Sequence, residues 1–244
     1  MELLLPSVRP IELPDLWALY DTPGPYVRAG MLSSLDGASS HAGTSRSLQP
    51  PGDGVVFAAL RAVADVVLVG AGTARAEGYR SVRLSRAVTA WRSGHGRPAV
   101  PLAVVSRSLD LPLDAPWLAD ATCQPIVLTC GAAPADRRER LADRADVLVC
   151  GQEAVDLGQA LRRLADRGLH RVLCEGGPAL LGDLVRESLV TEVCATVSPL
   201  LAGDADGMLR GPLPAPVPLV LAHLLREQST LLGRWLVQPA PVDA

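Results

Sequence analysis

The sequence contains no lysine: all 23 of its basic residues are arginine. That removes Schiff-base lysine chemistry and the P-loop lysine. Its five cysteines, Cys123, Cys130, Cys150, Cys174 and Cys194, form no C-x-x-C pair, which argues against a zinc site or a redox dithiol. Several stand inside apolar strand-like runs, where cysteine behaves as a small hydrophobe. No apolar run approaches the ~20 residues that a bilayer span requires. The opening Met-Glu-Leu-Leu-Leu-Pro lacks the basic start and long apolar stretch of a secretion signal, so a cytoplasmic protein is expected. A net charge of only −3 gives no electrostatic case for nucleic acid or an anionic membrane. Internal repeats and low-complexity tails are also missing.

What is present is ample apolar material, 48% of 244 residues, enough for a sizeable core. Residues 1–25 are rich in Pro and Leu and read as an irregular lead-in with one short helix near Leu13–Tyr20. Tyr26–Ser33 reads as a first strand, and residues 38–52 as a loop. Val56, Ala59, Leu60 and Val63 keep helical spacing after Asp53. Short β-branched or apolar runs follow at Asp65–Val69, Pro101–Val105, Pro125–Thr129, Val147–Cys150, Arg171–Cys174 and Thr191–Val197. Leu157, Leu161 and Leu164 form a helical stripe, and Pro178 suits the first turn of another helix. Residues 78–98, with five arginines among Gly and Ser, look like an exposed excursion. Leu219–Glu227 and Leu231–Val237 read as a closing hairpin. The β-α alternation predicts an α/β fold of three layers, αβα, with a mainly parallel central sheet ended by an antiparallel hairpin. A single domain over residues 26–240 is expected.

Four stretches carry chemistry. Val66–Thr73 runs from a strand into Gly70-Ala71-Gly72-Thr73, where bare backbone and free N–H groups suit a phosphate. It also reads as a plain strand-to-helix turn. Val172–Leu181 repeats that logic: a strand, then Glu175-Gly176-Gly177-Pro178, then a helix. Parallel strands would bring both turns to one sheet edge, and Glu175 to the strand end where open α/β sheets place ligands. Ser33-Ser34-Leu35-Asp36-Gly37 ends a strand in hydroxyls and a carboxylate; Asp36 either orders the loop through an Asx turn or faces a ligand. Arg61, on an otherwise apolar stretch, and Arg83 have the fork that suits phosphate or carboxylate, and either can equally lie on a solvated face.

In this order, the motifs Ser34–Gly37, Leu60-Arg61-Ala62, Asp65–Thr73, Glu175–Pro178 and Ser198–Gly203 resemble the C-terminal reductase domain of bacterial riboflavin-biosynthesis deaminase–reductases. The lead-in and Gly72–Tyr79 look most like stand-alone actinobacterial pyrimidine reductase family proteins. The resemblance implies a dihydrofolate reductase-like fold, an NADPH cofactor and a homodimer. It implies that Ser33, Ser47, Gly70, Gly72, Thr73, Glu77, Ser106, Gly176, Gly177, Pro178, Ala179 and Leu180 contact the cofactor. Ser45, Arg61, Arg83 and Glu175 would contact the substrate, with Arg61 and Arg83 available for its phosphate, and Asp36 and Glu175 would be the catalytic carboxylates. The family usually has aspartates and a proline after the Gly-Thr turn; here Glu77-Gly78-Tyr79 stands in their place. The loop Gly43–Ser47 also departs from the common pattern. Both changes touch the substrate side more than the cofactor side.

The activity so implied is hydride transfer from NADPH to C1′ of 5-amino-6-(5-phosphoribosylamino)uracil, converting its ribosyl group to ribityl. The cofactor carries the hydride chemistry and the protein supplies position. Two rival readings are reduction of dihydrofolate or another dihydropteridine, and NADPH binding without turnover, since a fold does not fix a substrate.

Overall fold

The structure is a computed structural model that describes residues 1–203 and 206–238. In chain order it holds β1 (Glu2–Leu5), β2 (Arg9–Pro10), α1 (Leu13–Tyr20), β3 (Tyr26–Ser34) and α2 (Asp53–Val63). Then come β4 (Val66–Gly70), α3 (Ala71–Ala76), α4 (Arg86–Gly94), β5 (Leu102–Val105), α5 (Pro116–Ala119), β6 (Ile126–Thr129), α6 (Ala135–Ala142), β7 (Asp146–Val149), α7 (Leu157–Ala165) and β8 (Arg171–Cys174). The chain ends with α8 (Pro178–Arg186), β9 (Glu192–Ser198), β10 (Leu219–Glu227) and β11 (Thr230–Val237). It forms two compact units: a middle unit, Arg61–Gly177, and an outer unit of Met1–Leu60 with the chain from Pro178 onward. Of the expected 26–240 span, residues 204, 205, 239 and 240 lie outside the described residues.

The middle unit is a parallel sheet in the order β8-β4-β5-β6-β7. Its central strands are mostly apolar, as parallel strands covered on both faces tend to be: Val66, Val67, Leu68 and Val69 of β4 are all buried. Asp65 fixes the register of β4 against β8. Its carboxylate accepts from the backbone N–H of His170 (3.1 Å) and Arg171 (2.9 Å) and from the Arg171 guanidinium at 2.7 Å. Helix α7 starts on Asp156, whose carboxylate accepts from Gln159 N at 2.7 Å, and buries Leu157, Ala160 and Leu164.

Residues 78–98 are not the exposed excursion that their arginines suggested. They contain α4, capped by Ser85, with Val88 and Arg92 buried. Arg92 donates to the carbonyls of Ala62 (2.6 Å), Ala64 (2.8 Å) and Pro98 (2.6 Å). A guanidinium whose N–H groups are taken up by carbonyls can be buried, and composition alone gives no sign of that.

The outer unit orders its strands β2-β1-β10-β11-β9-β3. Only β3 with β9 is parallel; the other four pairs are antiparallel. The C-terminal hairpin is present as expected, but antiparallel pairing extends beyond it to β1, β2 and β9. The lead-in is therefore not irregular: Glu2 and Leu3 pair with Arg226 and Leu225 of β10. Leu3 is buried there, and a single buried side chain in a four-residue strand gave too short a pattern to read.

Beneath α1 lies a buried ionic cluster. Glu192 on β9 accepts from Arg28 Nε of β3 at 2.9 Å and from Arg234 Nε of β11. Arg28, fully buried, also donates to the Tyr20 carbonyl at 2.9 Å. His223 of β10 sits opposite Arg234 and meets the Tyr20 ring edge-on, with 4.9 Å between centroids. Four of the five cysteines are buried, consistent with their reading as small hydrophobes, and burial pushes the Cys174 and Cys194 thiols up to about 12.

Candidate active site

The two glycine turns of the middle unit end adjacent parallel strands and touch. Gly70 N donates to Gly176 O at 2.8 Å, and Glu175 N to Leu68 O at 2.9 Å. The sheet edge inferred from the two motifs is thus built. Gly70 is extended (φ −75°, ψ 144°) and opens α3, which carries Gly72 and Thr73 in its first turn. Gly176 has φ +84° and the Gly176–Gly177 peptide is cis. A Cβ added to Gly177 would overlap Thr73 Oγ1. Glycine at this position therefore lets the turn pack directly against the Thr73 hydroxyl.

Glu175 is 6% exposed and its carboxylate is bonded from two sides. Arg61, in the last turn of α2, donates from Nε to Oε1 at 2.6 Å and from Nη2 to Oε2 at 2.7 Å. The Tyr79 hydroxyl donates to Oε2 at 2.7 Å. Burial alone would lower the Arg61 pKa, but the Glu175 carboxylate and Tyr79 outweigh it and the net shift is upward. Burial, then Glu175, pushes the Tyr79 phenol well above its ordinary value. Arg61 therefore stays a cation and Tyr79 keeps its proton at neutral pH.

The other predicted residues of this unit are more scattered. Glu77 is half-buried and ends α3. Arg83 is exposed on the segment before α4. Ser106 is buried just past β5, where its hydroxyl accepts from Leu109 N at 3.1 Å.

In the outer unit, Ser33 and Ser34 are buried at the end of β3. The Asp36 carboxylate is exposed and accepts from the Ser34 hydroxyl and from the backbone N–H of Ala202 (3.1 Å) and Gly203 (2.8 Å). The Ser34 bond first, and then the two N–H groups, hold its carboxyl down at about 2. Asp36 thus ties the strand-end turn to the Ser198–Gly203 motif, 166 residues away. Ser45 precedes a single 3₁₀ turn, Arg46–Leu48, on which Ser47 is exposed. Pro178, Ala179 and Leu180 form the first turn of α8.

The structure brings Gly70, Thr73, Arg61, Glu175, Gly176 and Gly177 together, and Ser34 with Asp36. Tyr79 is the member that the motifs did not select. Its signal was the Glu77-Gly78-Tyr79 departure, with Gly78 at the place where a helix-ending glycine belongs.

The model for the RibD C-terminal domain matches residues 25–231. A 2,5-diamino-6-ribosylamino-4(3H)-pyrimidinone 5′-phosphate reductase from Archaeoglobus fulgidus is 31% identical over 184 residues, 75% of this chain and 84% of that one. The riboflavin biosynthesis protein RibD of Mycobacterium tuberculosis is 29% identical over 181 residues, 73% of this chain and 43% of its own length. Among solved structures, a pyrimidine reductase-like protein from Corynebacterium diphtheriae superposes with a TM-score of 0.79 at 25% identity, covering 88% of this chain and 93% of that one. With the family's motifs in order and its model matched over most of the length, the chain belongs to the RibD C-terminal domain family.

Proposed function

We propose that this chain is an NADPH-dependent reductase of riboflavin biosynthesis that converts the ribosyl group of a ribosylaminopyrimidine 5′-phosphate to ribityl. The substrate is 5-amino-6-(5-phosphoribosylamino)uracil or its 2,5-diamino-pyrimidinone counterpart. The observation that carries this reading is the pair of bonded glycine turns with the Arg61–Glu175–Tyr79 cluster beside them. Residues 26–240 work as a single reductase domain in the cytoplasm. Among the described residues no helix is long and apolar enough to cross a membrane. The chain acts as a homodimer, for which the half-exposed Leu219, Val220, Leu221, Leu231 and Leu236 of β10 and β11 are a suitable surface.

Gly70, Gly72, Thr73, Gly176 and Gly177 would offer backbone to the cofactor, with Ser33, Ser47, Glu77, Ser106, Pro178, Ala179 and Leu180 completing its contacts. The two bonded glycine turns at adjacent strand ends fit that assignment. NADPH, when bound, supplies the hydride. The protein's part is to orient the pyrimidine and hold water away. Neither carboxylate serves as a proton donor: Asp36 is ionised at neutral pH, and Glu175 is bonded to a cation and acts as an acceptor. An opened sugar in the imine form is already electrophilic and needs no strong acid.

Two of the Arg61 donors are engaged by Glu175. Arg83 is therefore the arginine assigned to the substrate phosphate, with Ser45 nearby in role and Arg61 serving through Glu175. The test is loss of absorbance at 340 nm with NADPH and, in parallel, each pyrimidine and dihydrofolate. Oxidation with a pyrimidine alone supports the reading. Oxidation with dihydrofolate alone, or with nothing, overturns it.

A further inference from the structure

We propose that Arg107, on the loop that leaves β5, is the residue that selects NADPH over NADH: its guanidinium, with the Ser108 hydroxyl beside it, takes the phosphate on the 2′-oxygen of the adenosine ribose. The proposal rests on the reading above, in which the dinucleotide lies at the two glycine turns. Strands β4 and β5 are parallel neighbours, and Gly70 stands opposite Val105 in their register. The chain therefore leaves β5 at the same sheet edge as the Gly70–Thr73 turn, one strand further from the Gly176-Gly177 turn that follows β8. NADPH differs from NADH only in that phosphate, and an arginine fork is the side chain suited to such an anion.

Three arginines meet on this loop. Arg75 of α3 donates to the Asp110 carbonyl at 2.7 Å, and Arg137 in the first turn of α6 donates to the Ser108 carbonyl at 3.3 Å. Both guanidinium groups are partly spent on the loop backbone, which they brace from two helices. Arg107 is different. It is exposed, and among the described residues its side chain makes no hydrogen bond or ion pair. Two carboxylates stand nearby, and neither pairs with it. Asp110 lies 3.8 Å from Arg137, and Asp136 lies 3.7 Å from Arg140. The cluster therefore keeps a surplus of positive charge that an anion relieves. The loop is also held in shape before any ligand arrives. The Ser106 hydroxyl accepts from Leu109 N at 3.1 Å, the Ser108 hydroxyl accepts from Asp110 N at 3.3 Å, and Leu109 is buried. Ser108 is exposed, and its hydroxyl still has a proton to donate.

Calorimetric titration of the whole chain with NADPH, NADH, adenosine 2′,5′-bisphosphate and 5′-AMP tests this without turnover. The wild type should bind NADPH more tightly than NADH, and the bisphosphate more tightly than AMP. A hydrogen bond to a charged group is worth roughly 10- to 100-fold in an equilibrium constant. Arg107→Ala should therefore weaken NADPH by about tenfold or more and leave NADH at its wild-type affinity. Arg107→Lys keeps the charge without the fork and should fall between the two. Added salt should weaken NADPH more in wild type than in Arg107→Ala. Thermal melting of the variants should match wild type, since the Arg107 side chain supports no other group. A wild-type affinity for NADPH no better than that for NADH would overturn the proposal while the dinucleotide site stands. So would an Arg107→Ala variant that weakens both dinucleotides alike, or neither. A wild type that binds neither dinucleotide overturns the parent reading, and this proposal with it.

Discussion

Gly177→Ala adds a single methyl group where the two turns meet. The new Cβ would overlap Thr73 Oγ1, while its next neighbour, Thr73 Cβ, lies at an ordinary 3.6 Å. Gly177 does not have a positive φ, so its backbone region is open to an L-residue and one oxygen atom is the obstacle. Thr73 cannot swing aside easily, because a β-branched side chain in a helix is stiff at χ1. Forced overpacking of this kind costs about 1–3 kcal/mol. Thr73→Ala removes the obstructing atom. The double variant should then recover most of that loss, giving a coupling of about 1–3 kcal/mol that makes the pair less harmful than the sum. Urea denaturation of wild type, both single variants and the double variant measures this directly. The KM for NADPH should rise in Gly177→Ala, since relief of the clash pushes apart the turns joined by Gly70 and Gly176. Effects on stability that add to within about 0.5 kcal/mol would refute the packing argument.

Three other outcomes are expected. Glu192→Leu leaves Arg28 and Arg234 buried without their carboxylate and should cost about 3–5 kcal/mol, whereas replacing all three by apolar residues should cost less; urea midpoints distinguish the two. His223 is held at about 4, first by burial and then by the nearby Arg234 and Arg28. The unfolded chain therefore takes up a proton that the folded one refuses, and stability should fall as pH drops from about 6.5 towards 4. His223→Gln should flatten that part of a urea-midpoint profile, and the Asp36 bonds should fail only at still lower pH. Gly78→Ala places a Cβ in the left-handed region at a cost of about 1–2 kcal/mol, read as a lower urea midpoint.

The parts of the fold visible in the sequence are those set by local pattern. The apolar runs of β4, β6 and β8, the Leu stripe of α7 and the Pro178 start of α8 announce themselves within a few residues. The strands β1 and β2 do not, because they are short: β1 is held by β10, more than 200 residues away, and β2 pairs with β1. Helix α4 was hidden for a related reason. Its arginines suggest a solvated loop, yet Arg92 is buried by carbonyls that belong to the end of α2 and to Pro98.

The site divides along the same line. Each glycine turn is local and readable, and so is a carboxylate at a strand end. The Arg61–Glu175 bond joins residues 114 apart and depends on β8 lying next to β4, a crossover that no periodicity encodes. An arginine on an apolar helix was a visible anomaly, but the fork suits phosphate and carboxylate equally, and only the fold decides between them. Once it does, two of the five guanidinium donors are committed to a buried carboxylate. We therefore assign the phosphate to Arg83, which is exposed. The fold also turns the Glu77-Gly78-Tyr79 departure from a doubt about the substrate into the third arm of the cluster.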